Sequence, residues 1–384
     1  MNPAEAFCPN PDCPLHGIRD QDNIHVHSHK EKRYRCRRCN KTFAQTRGTP
    51  FYRRKYKARF ISEVVSLLAY GCPPQAIVAT YGLDQRTVYA WQRAAGQHSK
   101  RLHEHLLRPM DLQQVQADEI RVKAQGQVLW MALAICVTTR LWLGGVVSRR
   151  RDKALVSALA LQVRRCALCR PLLVVFDGFS AYVKAFRQAF RSPKHTGNRG
   201  RPPLVQWPNV VLGQLVKRHK KWKLLGILRQ LVVPKTRIVL PGNRPGHEAA
   251  LLEDLLCRSQ SGGVLNTAYI ERLNATFRAR LAGLVRRTRA LVATLETLEA
   301  GMYLVGCVYN FCSWHQSLRV PLYVLGSRGE QRRWVGRTPA MAAGLTDHRW
   351  SVEGWLAYQV LAVPAAAVQR RKTPSKTAVF ARAA

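Results

Sequence analysis

Three carboxylates on three separate segments are the side chains of this sequence best placed to do chemistry together. Asp177 ends the apolar run LLVVFD, Asp118 lies in QADEI and Glu271 lies in AYIERLN. A continuous apolar run that ends in Asp-Gly predicts a buried strand with a carboxylate at its carboxyl end. Reactive groups of open α/β sheets lie beyond those strand ends, so the three acids predict one shared site.

This set of acids suits a pair of hard cations, Mg²⁺ or Mn²⁺. Mg²⁺ takes oxygen ligands, is commonly held by one or two carboxylates and bridges to substrate phosphates. Two such ions about 3.5–4 Å apart activate the attacking oxygen and stabilise the leaving oxygen during displacement at phosphorus. A carboxylate beside five apolar residues, as Asp177 is, is costly unless it is paired, hydrogen-bonded or bound to metal.

Each carboxylate also has a purely structural explanation. Asp118 and Glu119 are neighbours in a predicted strand and point to opposite faces, so only one of them is expected in a given site. Strand geometry does not choose between them. Asp177 could cap the following turn, with Gly178 supplying a positive φ. Glu271 lies near the start of a predicted helix, where negative charge is favourable in any case.

The helix that carries Glu271 is predicted to begin near Ala268. Its apolar stripe is Ile270, Leu273, Phe277, Leu281 and Leu284, at spacings of three and four. Glu271, Asn274 and Arg278 occupy the neighbouring face. A helix packed on a sheet in this way can project Glu271 towards the strand ends.

The net charge of the chain indicates what kind of molecule binds at this site. Of the 384 residues, 62 are Lys or Arg and 22 are Asp or Glu, for a formal charge of +40. Such a surplus repels itself in a compact fold unless a polyanion neutralises it, so we expect an extended nucleic-acid footprint. We expect no membrane partner, because the apolar stretch 128–147 contains Arg140 and divides into two strand-sized runs.

The basic charge is most one-sided in residues 178–247, which contain 15 Lys or Arg and no Asp or Glu. Two predicted strands there flank Lys220, Lys221 and Lys223. We interpret the segment as a basic β insertion, at about 192–245, that contacts nucleic acid. A solvated loop would normally mix both signs of charge.

Four cysteines near the N-terminus predict a structural metal site. Cys8 and Cys13 form one pair, and Cys36 and Cys39 form a second pair across a short polar stretch. Two thiolates from each pair can complete a tetrahedral zinc site, and so short a segment needs such a staple to fold. The four histidines between the pairs are interpreted as solvated, because the cysteines already close the site.

Three short helical patterns follow, and the third begins after Asp84 with polar residues. A helix, a tight turn with glycine and a polar helix are typical of a helix-turn-helix. The alternative is a three-helix bundle that only spaces its neighbours. The candidate DNA contacts are Gln85, Arg86, Thr87 and Arg93. The patterns cover residues 60–70, 74–81 and 85–97.

The remaining pattern predicts an α/β fold, a mixed sheet with helices on its faces. Strands are expected at 115–122, 128–137, 141–147, 172–176, 210–216, 224–233 and 264–265, and helices at 152–165, 182–190 and 248–257. The polar N-terminus has no apolar core typical of a signal peptide. With an odd count of 11 cysteines, this favours a reducing, cytoplasmic location.

These segments together resemble the bacterial insertion-sequence transposases of the DDE superfamily. The resemblance rests on YRCRRCNKTF at 34–43, RGTPFY at 47–52, DGFSAY at 177–182, NTAYIERLN at 266–274, YNFCSWH at 309–315 and RTPAM at 337–341. It implies a zinc ribbon (1–50), a helix-turn-helix domain (51–108), a ribonuclease H-like catalytic domain (109–325) and a C-terminal extension with a basic tail (326–384).

The resemblance assigns the catalytic, Mg²⁺-binding acids to Asp118, Asp177 and Glu271. Glu248 and Glu253 are rival third acids, but they lack the sequence context of Glu271. Further DNA contacts are implied at Arg272, Asn274 and Arg278. The family's activity is Mg²⁺-dependent cleavage and transfer of DNA strands at terminal inverted repeats. We expect a nucleoid-associated protein and, by analogy, a homodimer on DNA.

Two other functions fit parts of the sequence. A helix-turn-helix regulator without catalysis explains the first 100 residues equally well but leaves the three acids as coincidence. A structure-selective nuclease on the same fold would hydrolyse DNA without joining strands.

Overall fold

The computed structural model of the chain describes residues 1–195, 197, 200–220, 223–232, 237–240, 247–260, 263–285, 291–326 and 329–360. The predicted basic tail at 361–384 lies outside the described residues.

The N-terminal unit is a small antiparallel sheet built around the four cysteines. Its strands pair in the order β1 (Ile24–Ser28), β2 (Arg33–Cys36) and β3 (Thr42–Ala44). Its small core contains Tyr34 and Phe43, whose ring centroids lie 5.7 Å apart, packed with the cysteines.

Three helices follow, as predicted: α1 (Ala58–Ala69), α2 (Pro74–Tyr81) and α3 (Gln85–Leu106). Pro74 opens α2 and Gly82 ends it in the left-handed region, at φ 62°. The Asp84 side chain caps α3 by accepting from the N–H groups of Arg86 and Thr87. The sequence pattern therefore placed the starts of α2 and α3 correctly.

The predicted end of α3 at Gln97 was wrong, because the helix continues to Leu106. Its second half is buried in the core of the larger unit, where Trp355 Nε1 donates to Ser99 Oγ at 3.0 Å. Tertiary packing therefore extends a stretch whose His-rich sequence is only moderately helical.

Residues 114–240 supply the central sheet and one separate hairpin. The strands are β4 (Gln114–Ala124), β5 (Gln127–Cys136), β6 (Trp142–Ser148), β7 (Leu172–Asp177), β8 (Arg191–Pro193), β9 (Leu204–Gln206), β10 (Val210–Lys220), β11 (Lys223–Val232) and β12 (Arg237–Leu240). The sheet order is β12-β11-β10-β7-β4-β5-β6, and β8 pairs with β9. The predicted mixed α/β fold is confirmed, and residues 128–147 form two strands.

Three strands of the sheet are parallel: β7 pairs in parallel with β4 on one side and with β10 on the other. The other pairs in the sheet are antiparallel. β10 falls within the insertion predicted at about 192–245, but it is a strand of the central sheet. Its apolar first half, with Val211, Leu212 and Leu215 buried, completes the sheet beside β7.

Helices cover both faces of the sheet. They are α4 (Lys153–Cys166), α5 (Ala181–Ala189), α6 (His247–Gln260) and α7 (Ala268–Arg280). Phe176 stacks on Tyr182 of α5, with centroids 5.2 Å apart, and so belongs to the α4–α5 face. Leu173 and Val175 alternate with it and pack on α6. The predicted strand at 264–265 was wrong; the chain there is an irregular approach to α7.

The C-terminal part packs on α3 and closes the core. Its elements are α8 (Leu295–Cys307), a π-helical turn (Val308–Cys312), the hairpin β13 (Val320–Gly326) and β14 (Gly329–Val335), α9 (Pro339–Ala342) and α10 (Val352–Ala357). Gly96 of α3 lies directly against the main chain of Ala300 in α8, where a Cβ would clash. Short 3₁₀ turns cover Ala282–Leu284 and Gln316–Leu318.

Candidate metal centre

A cleft opens where β7 ends, between two strands that continue past it. β7 stops at Asp177, whereas its parallel neighbours β4 and β10 run on to Ala124 and Lys220. The cleft holds about 650 Å³. Its charged lining residues are Asp118, Asp177, Glu271, Arg151 and Lys217. All three sequence-predicted acids therefore line one cavity at the carboxyl ends of parallel strands.

Asp118 and Asp177 lie side by side because of the strand register. The last register pair between β4 and β7 is Ala117 with Phe176, so the two aspartates come next and share the α6–α7 face. Asp177 Oδ1 also accepts from the Phe179 N–H at 3.0 Å. The turn-capping role is thus present alongside the position in the cleft. Gly178 does not adopt the positive φ that was expected for this turn.

Glu119 joins the same group of acids. Oxygens of Asp118, Glu119 and Asp177 lie within 4.8 Å of one another. The expectation that only one residue of the Asp118–Glu119 pair could approach the site was wrong. In the described part of the chain, no strand lies between β4 and β10 beyond the end of β7, so a side chain from either face of the sheet can reach Asp177.

Both oxygens of Glu119 are already engaged by the protein. Arg151 Nε donates to Oε1 at 2.6 Å, and Tyr182 Oη on α5 donates to Oε2 at 2.9 Å. Arg151 also lies 3.7 Å from Asp177 Oδ2, and its guanidinium is 4.3 Å from the centroid of the Phe179 ring. Glu119 therefore orients Arg151 against Asp177, which leaves Asp118 and Asp177 as the better metal ligands.

Asp118 lies in a setting that disfavours its charge. Burial raises the pKa of its carboxyl to about 7, and the nearby Glu119 and Asp177 add to the rise. Asn274 Nδ2 on α7 donates to Asp118 Oδ2 at 2.7 Å. A bound divalent cation would reverse the balance, because it stabilises the ionised carboxylate.

Gln116 fixes the helix that carries Glu271. This buried β4 side chain accepts through Oε1 from the N–H groups of Tyr269 and Ile270, at 3.0 and 2.9 Å. Its Nε2 donates to the Asn266 carbonyl at 2.8 Å. Two of the unpaired donors at the N-terminus of α7 are satisfied in this way, so β4 sets the position of Glu271.

Glu271 reaches the cleft but stands outside the cluster of three acids. Its Oε1 accepts from Lys217 Nζ at 2.8 Å and from Thr267 Oγ1 at 3.1 Å. The bond to Glu271 raises the pKa of Lys217. Of the rival acids, Glu253 is exposed on α6 and does not line the cleft, and the Glu248 side chain lies outside the described residues.

Sequence reasoning missed Gln116, Arg151, Tyr182 and Lys217 as site residues. The signal for Gln116 was available, because a glutamine on the buried face of a strand requires partners. Arg151 and Lys217 are two among 62 basic residues, and nothing in the local pattern distinguishes them.

The predicted nucleic-acid contacts fall into separate groups. Gln85, Arg86 and Arg93 are exposed on α3, and Thr87 is half-buried. Lys220 and Lys223 are exposed where β10 meets β11, while Lys221 lies outside the described residues.

The three predicted contacts on α7 lie in different surroundings. Asn274 is 1% exposed and bonded to Asp118, so its assignment as a DNA contact was wrong. Arg272 is exposed but points away from the cleft, into a second cavity. Arg278 is half-buried on the side of α7 that carries Glu271.

The four N-terminal cysteines converge as predicted. Their Sγ atoms all lie within 4.8 Å of one another, with Cys8 to Cys39 at 3.5 Å and Cys13 to Cys36 at 3.9 Å. A tetrahedral zinc with bonds of about 2.3 Å requires sulfurs about 3.8 Å apart. The cluster could therefore bind zinc. No histidine of the described residues joins it.

No helix in the described part of the chain is long and apolar enough to cross a membrane. The sequence matches no protein-family model, and no curated protein has significant similarity to it.

Proposed function

We propose that this chain is a DDE transposase, which binds the terminal inverted repeats of an insertion sequence and cleaves and joins DNA strands with Mg²⁺. One observation carries the proposal. Asp118 and Asp177 lie side by side at the ends of parallel strands, and α7 brings Glu271 to the same cleft. The net charge of +40 makes a polyanionic substrate the natural partner.

The strand order supports a ribonuclease H-like interpretation of the catalytic domain. Three consecutive antiparallel strands, β4 to β6, are extended beyond β4 by the parallel strands β7 and β10. The acids lie on the first strand, on the fourth strand and on a helix that follows. These are the three acids that the resemblance assigns to catalysis.

The donor set fits hard cations. Asp118 and Asp177 offer carboxylate oxygens within 4.8 Å of each other. Glu271 lines the same cavity, whose volume is about 650 Å³. Mg²⁺ held there would supply Lewis-acid activation of the attacking oxygen and neutralise charge on the phosphate. Before metal arrives, Asn274 holds Asp118 and Lys217 holds Glu271 in place.

The cations of the cleft would position the DNA backbone. Arg151 and Lys217 both line the cleft, Arg151 paired with Glu119 and Lys217 paired with Glu271. Each carries further N–H donors that could turn towards a phosphate oxygen. Positioned donors of this kind lower the barrier most where charge develops.

The N-terminal units would supply recognition of the element ends. The cysteine cluster supports a zinc ribbon, and the exposed start of α3 presents Gln85 and Arg86 as the second helix of a helix-turn-helix does. A zinc-ribbon and helix-turn-helix regulator without catalysis would use the same surfaces but would have no use for the cleft.

The proposal is tested with labelled DNA that carries the sequences flanking the coding region. Wild-type protein should nick this DNA and join the freed end to target DNA when Mg²⁺ is added. Asp177→Asn should lose both reactions and keep DNA binding. Hydrolysis without joined product would favour a structure-selective nuclease, and the absence of any Mg²⁺-dependent nicking would favour the regulator.

A further inference from the structure

Helix α7 has a second polar side, opposite Glu271. Arg272, Thr276 and Arg280 recur every four residues and therefore form one row along the helix. At about 100° per residue, Glu271 lies about 100–180° around the helix axis from the members of this row. The row faces a cavity of about 450 Å³ that the catalytic cleft does not include.

This second cavity is built to receive negative charge. Three guanidinium groups line it, and no Asp or Glu is among the described residues that do. The side chains that define it are Arg140, Arg272, Arg280, Tyr269, Trp314 and His315. A volume of about 450 Å³ falls within the range of small-ligand sites, about 300–1,000 Å³.

Two of these arginines have donors that the described protein does not satisfy. Nη1 of Arg140 and Nη1 of Arg280 are buried and have no hydrogen-bond partner in the described part of the chain. Burial lowers the pKa of Arg280. A buried guanidinium donor without an acceptor costs free energy, so the protein keeps these two arginines beside the cavity at an energetic cost. Arg140 is also held at φ 58°, a conformation that non-glycine residues rarely adopt.

Neighbouring groups hold the arginines in place without neutralising them. The Arg140 guanidinium lies 4.0 Å from the centroid of the Tyr269 ring, and that of Arg280 lies 4.8 Å from the centroid of the Tyr70 ring. Arg280 Nη2 also donates to Ser313 Oγ at 3.5 Å. Cation–π contacts fix the position of a guanidinium but leave its in-plane N–H groups for a ligand.

An aromatic side chain stands at the mouth of the cavity. Trp314 is 52% exposed, although its ring packs on Gly336, where a Cβ would lie 3.1 Å from it. The π-helical turn before it is anchored by Asn310, whose side chain bonds the N–H and C=O of Trp142 at 2.9 and 2.8 Å. Trp314 is therefore packed on Gly336, and the Arg349 guanidinium lies 5.0 Å from its ring centroid.

We infer that this cavity binds one unpaired nucleotide of a DNA strand, with its phosphate on the arginines and its base against Trp314. The inference rests on the proposed function for the identity of the polymer. Aromatic platforms beside basic grooves are how proteins hold unstacked bases. Helix α7, about 10 Å across, lines both cavities, through Glu271 for the cleft and through Arg272 for the second cavity, so a strand in the cleft would reach the second cavity within a few nucleotides.

The test is fluorescence anisotropy with a 5′-phosphorylated, labelled hexathymidylate, compared with a blunt hairpin duplex, for the full-length protein. Trp314→Ala and Arg272→Ala should each weaken single-strand binding about fivefold or more and leave duplex binding within about twofold. Trp314→Phe and Arg272→Lys should recover most of the lost affinity. Arg165→Ala, which removes an exposed charge that lines neither cavity, is the matched control.

Equal loss of single-strand and duplex binding in Trp314→Ala, or an effect of Arg165→Ala as large as that of Arg272→Ala, would overturn the inference. This binding test can fail or succeed independently of the proposed function, because DNA nicking is measured in a separate assay. A wild-type protein that never nicks DNA but shows this pattern keeps the nucleotide site and loses the transposase assignment. A protein that nicks DNA but lacks the pattern keeps the assignment and loses the site.

Discussion

Lys217 Nζ lies 2.8 Å from Oε1 of Glu271, which joins strand β10 to helix α7 across the mouth of the cleft. The Lys217 ammonium group is thus bound to a carboxylate that is a ligand in the proposed metal centre. Glu271 is therefore held beside the cluster of Asp118, Glu119 and Asp177 rather than within it. Entry of a divalent cation must compete with Lys217 for this carboxylate.

Lys217→Gln should tighten Mn²⁺ binding by about two- to fivefold, because half-exposed ion pairs contribute about 0.2–1 kcal/mol. Mn²⁺ titration followed by electron paramagnetic resonance measures the affinity. Lys220→Gln removes an equal charge from the exposed end of the same strand and serves as the control. Weaker Mn²⁺ binding in Lys217→Gln than in Lys220→Gln would mean that Lys217 supports the centre instead of competing with the ion.

The buried charge of Asp118 should make stability depend on pH. Its folded-state pKa of about 7 lies above the ordinary 3.8, mainly through burial, so the folded protein retains a proton that the unfolded chain releases. The free energy of unfolding therefore has its full Asp118 contribution below pH 3.8, where the carboxyl is protonated in both states. That contribution is lost as the pH rises towards 7.

Asp118→Asn should therefore stabilise the metal-free protein at pH 8 by about 1–3 kcal/mol, and this gain should vanish near pH 4. Urea denaturation at both pH values measures it, in Mg²⁺-free buffer without chelator so that zinc is kept. A gain of the same size at both pH values would show that the carboxylate charge is not the cause.

Gln116→Ala should destabilise the fold by about 1–3 kcal/mol, because it leaves the N–H groups of Tyr269 and Ile270 buried without their acceptor. Gln116→Glu keeps that acceptor and should recover part of the loss. Denaturant unfolding gives the stability, and Mg²⁺-dependent nicking of the folded variant reports on Glu271. Full nicking activity in Gln116→Ala would show that α7 does not need this cap to place Glu271.

Zinc should be released in about one equivalent per chain when the four thiols are modified, as the tetrahedral cluster implies. A colorimetric zinc assay with parallel limited proteolysis follows both release and local unfolding. Cleavage should appear in the first 50 residues and spare the central sheet. Cys36→Ser should lose the zinc, whereas Cys169→Ser, an exposed thiol outside the cluster, should keep it. An N-terminal unit equally resistant with and without metal would contradict the assignment.

Periodicity predicted the parts of the fold that depend on local pattern. The run that ends in Asp177, the two strands of 128–147 and the capped start of α3 all follow from spacing and composition. The length of α3 could not be predicted from local pattern, because its second half is stabilised by contacts with residues far along the chain, such as Trp355.

Some residues of the candidate site could likewise be predicted from the sequence, and others could not. The end of an apolar run predicted Asp177, and the resemblance assigned Asp118, but strand alternation wrongly separated Glu119 from them. Alternation describes a strand with neighbours on both sides, and Glu119 lies past the end of β7. Lys217 and Arg151 could not be distinguished from the other basic residues, because their partners are distant in sequence.

The central claim is that Asp118, Asp177 and Glu271 hold divalent cations in common. Mn²⁺ binding to the full-length protein in the presence of DNA, followed by electron paramagnetic resonance, tests it most directly. Glu271→Gln is compared with Glu253→Gln, which alters an exposed carboxylate outside the cleft. We predict that Glu271→Gln binds fewer ions than wild type and that Glu253→Gln binds the same number. A Glu271→Gln variant that binds the same number of ions as wild type would contradict the account.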